Sequence, residues 1–172
     1  MCINIIVLGH IPPAEIEILR DMLEDVFSHP VNVYARIPLP EECYIENRSQ
    51  YDAACLLDRV LRYPGYRVLG VVSADITIEG YNFIFGLAAS PGRGAVVSVY
   101  RLRHGDNSRY LSRLKKEAMH ELGHTFGLKH CRNRCVMSFS NTVFDVDTKP
   151  DIFCNTCASK IAEHLRGDIR GK

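Results

Sequence analysis

Hydrophobic runs alternate with amphipathic stretches along the first half of the chain. Runs rich in Ile and Val predict three strands, at residues 3–9, 31–37 and 66–76. Between them, the residues after Pro12 and Pro13 and then residues 49–62 carry apolar side chains at helical spacing. This order predicts strands joined by crossover helices, because parallel neighbours need a long connection between them.

Two further strand-like runs, at residues 81–88 and 94–102, follow without a helix between them. The chain is therefore expected to form an α/β fold whose sheet is mostly parallel with some antiparallel character. A longer helix is predicted from about 109 to 126, with residues 106–108 as N-cap candidates and Gly127 as its stop. An irregular stretch then leads to a short final helix over about 155–166.

A chain of 172 residues is long enough for one ordinary domain with its own core. We expect a single domain over residues 1–172, with an upper part over 1–127 and a smaller lower part over 128–172. No apolar run approaches the ~18–20 residues of a membrane span, and the N-terminus lacks the basic start of a signal peptide. The cytoplasm is the expected location, and a monomer is favoured.

The charge balance argues against two classes of partner. Lys and Arg number 21 and Asp and Glu number 20, so the net charge of +1 favours neither nucleic acid nor an anionic membrane. The densest basic stretch lies between Arg101 and Lys116, and we interpret it as a solvated helix face and loop.

The predicted long helix ends in a pattern typical of metal ligands. His120 and His124 are four residues apart, so their imidazoles share one helix face, and Glu121 starts the same turn. Gly127 allows a sharp turn that brings His130 back to the same point. His-Glu-x-x-His-x-x-Gly-x-x-His is far more specific than its first half, because each position has a separate mechanical reason.

Three neutral histidines would leave one zinc position open for water. Zinc lowers the pKa of such a water toward ~7, and Glu121 can accept its proton and later deliver it to a leaving amine. The pattern therefore predicts a zinc-dependent hydrolase, with Glu121 catalytic and His120, His124 and His130 as metal ligands. Glu117, one turn before Glu121, could orient one of these ligands.

Four of the seven cysteines form a second candidate centre, at Cys131, Cys135, Cys154 and Cys157. Two closely spaced pairs separated by a loop are typical of a closed, structural zinc site, which would fix residues 131–157. Reduced core cysteines are the alternative, and a disulfide fits a cytosolic chain less well. We interpret Cys2 and Cys55 as small buried hydrophobes and leave Cys43 unassigned.

The histidine motif followed by Cys131 and three more cysteines resembles the archaemetzincins, a family of metzincin-like metalloproteases. The resemblance covers about residues 117–160. It implies an α/β fold with a mixed twisted sheet, three main helices and a small C-terminal part stapled by zinc. It also implies two zinc ions per chain, one catalytic on the histidines with Glu121 as base and one structural on the four cysteines.

The same resemblance implies roles for two further parts of the chain. In metzincins a methionine behind the third histidine lies beneath the metal, and Met137 has that place here. Some members carry a tyrosine two residues later that stabilises the oxyanion, but this chain has Phe139, which cannot donate. An antiparallel edge strand above the cleft would bind an extended peptide by strand addition, and residues 81–89 are the candidate.

Three functions remain open at this point. The leading hypothesis is a zinc metallopeptidase that acts on peptides or unfolded chains. A zinc-dependent peptide-binding module with lost or gated catalysis is the second. A structural domain built around the four cysteines, with a non-catalytic metal on the histidines, is the third.

Overall fold

The computed structural model describes residues 1–170, with side chains described through residue 167. Residues 171 and 172, which the predicted lower part includes, lie outside this description. The main elements follow the chain in this order: β1 Ile3–Leu8, α1 Pro13–Phe27, β2 Val31–Ile37, β3 Tyr44–Ile45, β4 Gln50–Asp52, α2 Ala53–Val60, β5 Arg67–Val72, β6 Ile76–Thr77, β7 Gly86–Ala88, β8 Gly94–Ser98, α3 Asn107–Thr125, α4 Val143–Thr148 and α5 Asn155–Arg170.

A five-stranded sheet in the order β2-β1-β5-β8-β7 forms the centre of the fold. β1 pairs in parallel with β2 and β5, and β5 pairs in parallel with β8. β7 is antiparallel to β8 and occupies one edge of the sheet. The predicted α/β class and the mixed character of the sheet are therefore confirmed. A smaller three-stranded sheet, β3-β4-β6, lies beside the first.

Helices cover both faces of the large sheet, which explains why β1, β5 and β8 are buried throughout and mostly apolar. Along β1, Ile5 and Val7 contribute to the core that α1 and α3 share. The alternate residues Ile6 and Leu8 contribute to a second core with α2. The period of two along a strand thus divides one apolar run between two hydrophobic cores.

Local capping shifts some of the predicted boundaries. The predicted helix at 49–62 begins only at Ala53, because Gln50–Asp52 pairs as a strand and the Asp52 side chain accepts hydrogen bonds from the first helical turn. The predicted strand at 66–76 ends at Val72 and resumes at Ile76. The stretch predicted to be irregular contains α4, which Thr142 and Asp145 start with a capping box.

The interpretation of residues 101–116 as a solvated basic face is wrong at two positions. Arg113 and Lys116 are only 4% and 8% exposed, because residues 146–151 pack over this side of α3. Arg113 binds the Asp147 carboxylate through two 2.7 Å hydrogen bonds, and Lys116 Nζ donates to the Val146 carbonyl at 3.0 Å. Lys115 pairs with Asp151 at 2.8 Å. We call these contacts between α3 and residues 146–151 the α3 clasp.

The cysteines outside the four-cysteine cluster also differ from expectation. Cys43 and Cys55 form a disulfide with an S–S distance of 2.09 Å, so the interpretation of Cys55 as a buried hydrophobe is wrong. The bond becomes possible because the turn before β3 and the first turn of α2 bring the two Cα atoms within 5.5 Å. Cys2 is a free, half-buried thiol rather than a fully buried one.

Among residues 1–170, no helix has both the length and the apolar composition needed to cross a membrane.

Asp147→Asn should destabilise the fold by about 1–2 kcal/mol at pH 7, because Arg113 loses a charged acceptor while it stays buried. The hydrogen bonds from Arg113 lower the pKa of Asp147. A carboxylate with a lowered folded-state pKa stabilises above its unfolded pKa of about 3.9, and that stability is lost as pH falls through the folded-state pKa. Denaturant unfolding of both proteins from pH 7 to pH 2 should therefore show a difference that closes in acid.

Asp58→Asn, an exposed position on α2, is the matched control and should stay within about 0.5 kcal/mol of the parent protein. Equal stability of Asp147→Asn and the parent at pH 7 would contradict this account of the α3 clasp.

Candidate active site

Helix α3 carries the first part of the site near its C-terminal end. Asp106 caps the start of the helix by accepting from the Arg109 N–H at 2.9 Å. Gly127 ends it with a positive φ of 81°, and the Leu128 N–H turns back to the Gly123 carbonyl at 3.2 Å. The expected glycine stop is confirmed, and it directs the following residues back toward the face that carries His120 and His124.

His120, His124 and His130 each place one ring nitrogen within 4.8 Å of the others. The Nε2 atoms of His120 and His124 are 3.1 Å apart, and the His130 ring centre lies 5.3 and 5.1 Å from the other two. His120 is nearly buried, whereas His130 is exposed at the open side. The backbone turn therefore brings together the three residues that the motif predicted.

Backbone carbonyls fix the orientation of two of these rings. His120 Nδ1 lies 3.0 Å from the Val136 carbonyl, and His124 Nδ1 lies 2.7 Å from the Leu128 carbonyl. A carbonyl only accepts hydrogen bonds, so each Nδ1 carries the proton and each Nε2 keeps its lone pair. This arrangement suits a metal ion, because each Nε2 offers a lone pair while each Nδ1 is held by a hydrogen bond.

The histidines are also kept in the neutral form that binds metal. Burial lowers the pKa of His120 to about 2, and the nearby Lys149 ammonium acts in the same direction. Burial also lowers the pKa values of His124 and His130. Protons therefore compete weakly for these nitrogens at neutral pH, which fits the residues to a divalent cation.

Glu121 points into the same space and is only 6% exposed. Burial raises the pKa of its carboxyl well above 4.5, and the neighbouring Glu117 carboxyl raises it further. A cation held by the histidines would oppose both effects. An ideal Cβ built on Gly86 of strand β7 would lie 2.5 Å from Glu121 Cγ, so the strand can approach this carboxylate only as glycine.

A cleft of about 440 Å³ opens over the three histidines and Glu121. Residues 83–88 form one wall and Phe139, Ser140 and Asn141 form the other. The expected antiparallel edge strand is confirmed, although β7 covers only Gly86–Ala88 of the predicted 81–89. Its free edge gives an extended chain backbone groups to pair with.

Met137 and Phe139 follow the third histidine and take different places. Met137 is fully buried, and an ideal Cβ on Gly123 would meet its Sδ at 2.5 Å, so the methionine packs against α3 between His120 and His124. Phe139 is 59% exposed, and its ring centre lies 5.1 Å from that of His130. Phe139 thus contributes an aromatic cleft wall without a hydroxyl donor.

The four predicted cysteines converge beside this site, with their sulfur atoms within 4.8 Å of one another. Cys135 Sγ accepts from the backbone N–H groups of Cys154 at 3.3 Å and Met137 at 3.5 Å. A backbone N–H of Cys157 lowers the pKa of Cys154 to about 6, whereas burial raises that of Cys157. Four thiols with N–H donors fit a thiophilic cation such as zinc. The Cys131 N–H donates to the Met137 carbonyl at 2.9 Å, which joins this cluster to the methionine turn.

The structure adds Lys149, which the sequence did not single out. Lys149 is buried, and its Nζ lies 2.6 Å from the Glu117 carboxylate and 3.5 Å from His120 Nδ1. Glu117 thus faces a lysine, while carbonyls orient the histidines. The spacing of Glu117 to Glu121 pointed to Glu117 in the sequence. Lys149 lies in a stretch without hydrophobic periodicity, so no pattern pointed to it. Of the other histidines, His164 is half-buried and packs against Phe126.

Known proteins share both the sequence pattern and the fold. The family model described as Peptidase family M54 matches residues 20–163. An archaemetzincin from Archaeoglobus fulgidus is 48% identical over 147 residues, which cover 85% of this chain and 90% of that protein.

Two crystal structures agree with the fold at similar identity. Archaemetzincin from Archaeoglobus fulgidus in complex with malonate has a TM-score of 0.88 and 44% identity, and the match covers 93% of this chain and 99% of that one. Archaemetzincin from Methanopyrus kandleri has a TM-score of 0.88 and 40% identity, with 96% of each chain covered. This chain therefore belongs to peptidase family M54, the archaemetzincins, and is a zinc metallopeptidase.

Proposed function

We propose that the chain hydrolyses peptide bonds with zinc on His120, His124 and His130 and with Glu121 as general base. One observation carries this proposal: three imidazoles in the neutral form converge beside a buried carboxylate at the floor of an open cleft. When bound there, zinc lowers the pKa of a water toward ~7 and polarises the substrate carbonyl.

Glu121 is the group that moves protons in this proposal. It lies in the cleft beside the histidines, where it can accept a proton from the attacking water and deliver it to the leaving amine. Its burial removes competing water, so the proton stays with the reacting groups. Because Phe139 brings no hydroxyl, stabilisation of the oxyanion falls to the metal.

The substrate is proposed to be a peptide or an unfolded chain in extended form. β7 offers a free strand edge directly above Glu121, and Gly86 lets the two approach closely. An added strand would lay its side chains alternately against the wall formed by Phe139 and Asn141 and toward solvent.

A second zinc is proposed on Cys131, Cys135, Cys154 and Cys157. Four thiolates would leave no open coordination position, so this ion would be structural. We further propose one peptidase domain with an upper part over 1–127 and a lower part over 128–172, monomeric and cytoplasmic. The five free thiols support a reducing compartment, whereas the Cys43–Cys55 disulfide argues against it.

The alternative is a zinc-dependent peptide-binding module with lost or gated catalysis. The absence of a hydroxyl at Phe139 favours this alternative, because one transition-state donor is missing while the cleft and strand edge remain.

Glu121→Gln should lower kcat by about 10²–10⁴-fold, because the amide cannot accept a proton while it fills the same space. The measurement is cleavage of a peptide library by the parent and the variant at equal metal content. A parent protein that cleaves no faster than Glu121→Gln would refute hydrolysis. Peptide binding by both, with turnover by neither, would support the binding module instead.

Gly86→Ala should lower kcat by about tenfold or more, since the added methyl and the Glu121 side chain would need the same space. Metal content should not change, because the three atoms nearest to the added methyl all belong to Glu121. Gly167→Ala on α5, where an added Cβ meets nothing within 4 Å, is the matched control and should keep full activity. Full activity of Gly86→Ala would show that the position of Glu121 does not limit the reaction.

Metal analysis should give two zinc ions per chain. The ion on the histidines should be lost to a chelator with the fold intact, because that site opens to the cleft. The ion on the cysteines should leave only with unfolding of residues 131–157. Cys154→Ser should retain one zinc and lose stability. A parent protein with a single zinc that survives Cys154→Ser would rule out the two-site arrangement.

A further inference from the structure

We propose that Glu117 and Lys149 are positioning residues of the peptidase site, which together hold in place His120 and the cleft wall at Phe139–Asn141. This inference rests on the proposed function of the three histidines. It goes further because it assigns a role to a buried ion pair outside the metal motif.

The pair lies at the closed end of the site. Both side chains are 3% exposed, and Lys149 Nζ is 2.6 Å from the Glu117 carboxylate. Glu117 lines the cleft together with Glu121, one helical turn away. The two charges therefore meet directly behind the reacting groups rather than at the protein surface.

Lys149 joins three segments of the chain through its side chain and its backbone. Besides Glu117 on α3, its Nζ lies 3.4 Å from the Ser138 carbonyl and 3.5 Å from His120 Nδ1. Its own backbone N–H is fixed to the Asp145 carbonyl at the end of α4. The lysine thus ties α3 and α4 to the turn that follows Met137.

That turn orients His120. The Val136 carbonyl accepts from His120 Nδ1, and the Ser138 N–H donates to the Cys135 carbonyl within the same turn. Lys149 donates to the other side of this turn, at Ser138. The Val136 carbonyl holds the proton on Nδ1 and leaves Nε2 free for metal, and Lys149 acts on this arrangement through the turn that carries the carbonyl.

The same contact places the lower wall of the cleft. Phe139, Ser140 and Asn141 directly follow Ser138 and form that wall. If the Ser138 carbonyl shifts, the wall shifts with it, and so does the space above His130, over which the Phe139 ring lies.

Fold stability alone does not account for the pair. The α3 clasp already fastens the same segment through Arg113–Asp147, Lys115–Asp151 and the Lys116 contact with Val146. A buried ion pair stabilises a fold little more than apolar residues of similar volume would, because both charges lose their hydration. The placement of these charges against a proposed metal ligand and a cleft wall points to positioning.

The test measures metal binding directly, without turnover. The chelator-labile metal is removed from the full chain and titrated back as Co²⁺ against a competing chelator, with the visible absorption spectrum recorded. Lys149→Met and the double variant Glu117→Gln/Lys149→Met should bind this metal about 10–100-fold more weakly than the parent, with an altered spectrum. The double variant leaves no unpaired buried charge, so it keeps the test valid if the single variant fails to fold.

Lys115→Met is the matched control. It breaks another ion pair between α3 and the same segment, but Lys115 and Asp151 do not line the cleft. Its Co²⁺ affinity and spectrum should match those of the parent within about twofold. Thermal unfolding of every variant separates loss of fold from loss of positioning.

Two results would overturn the proposal in distinguishable ways. Parent affinity and spectrum in the folded double variant would refute positioning and leave the proposed peptidase site standing. A folded parent that binds no Co²⁺ at the histidines would refute the proposed metal site, and the positioning role with it. Equal weakening in Lys115→Met and Lys149→Met would show a general structural effect and would also refute the proposal.

Discussion

From Arg113 onward helix α3 is buried on nearly every side, and the buried polar groups that it carries there must find partners inside the protein. Arg113, Lys116, Glu117 and His120 are all under 9% exposed. An unpaired buried charge or donor costs several kcal/mol, so these side chains cannot be left without partners. Their partners lie mainly between Val136 and Asp151, in a part of the chain with little regular structure. The polar side of α3 thus determines how that segment folds.

This constraint explains how about thirty residues after the histidine motif keep a fixed shape. The segment has α4 and few large apolar side chains that point inward, so packing alone supplies little stability. It is instead attached at several points: the cysteine cluster holds both ends, and the α3 clasp holds the middle. Directional contacts replace a hydrophobic core here, and they specify position more sharply than apolar packing does.

The sequence revealed those features that depend on local spacing. The His120–His124 pair, the stop at Gly127 and the cysteine pairs all follow from distances of a few residues along the chain. The apolar runs of β1 and β5 likewise predicted a buried, mostly parallel sheet. The features that the sequence did not predict depend on long-range contacts. Gly86, for example, is 35 residues from Glu121, and its lack of a side chain leaves room for that carboxylate. The burial of Arg113 and the pairing of Cys43 with Cys55 were missed for the same reason. No local pattern around Arg113 indicates Asp147, and none around Cys43 indicates Cys55.

The two walls of the cleft are held by different kinds of contact, and this difference bears on specificity. β7 is fixed by ladder hydrogen bonds to β8, and Gly86 leaves it no side chain over Glu121. Its free edge offers backbone groups to an extended peptide, and Phe83, Phe85 and Leu87 line the cleft beside it. The wall at Phe139–Asn141 carries side chains and lies between two anchored points, the Met137 turn and α4. Substitutions there can change the shape and polarity of the cleft without disturbing the sheet or the histidines. In the proposed peptidase, the wall at Phe139–Asn141 is therefore the part of the cleft whose side chains can vary with the least cost to the fold, and selection among peptide side chains can vary with them.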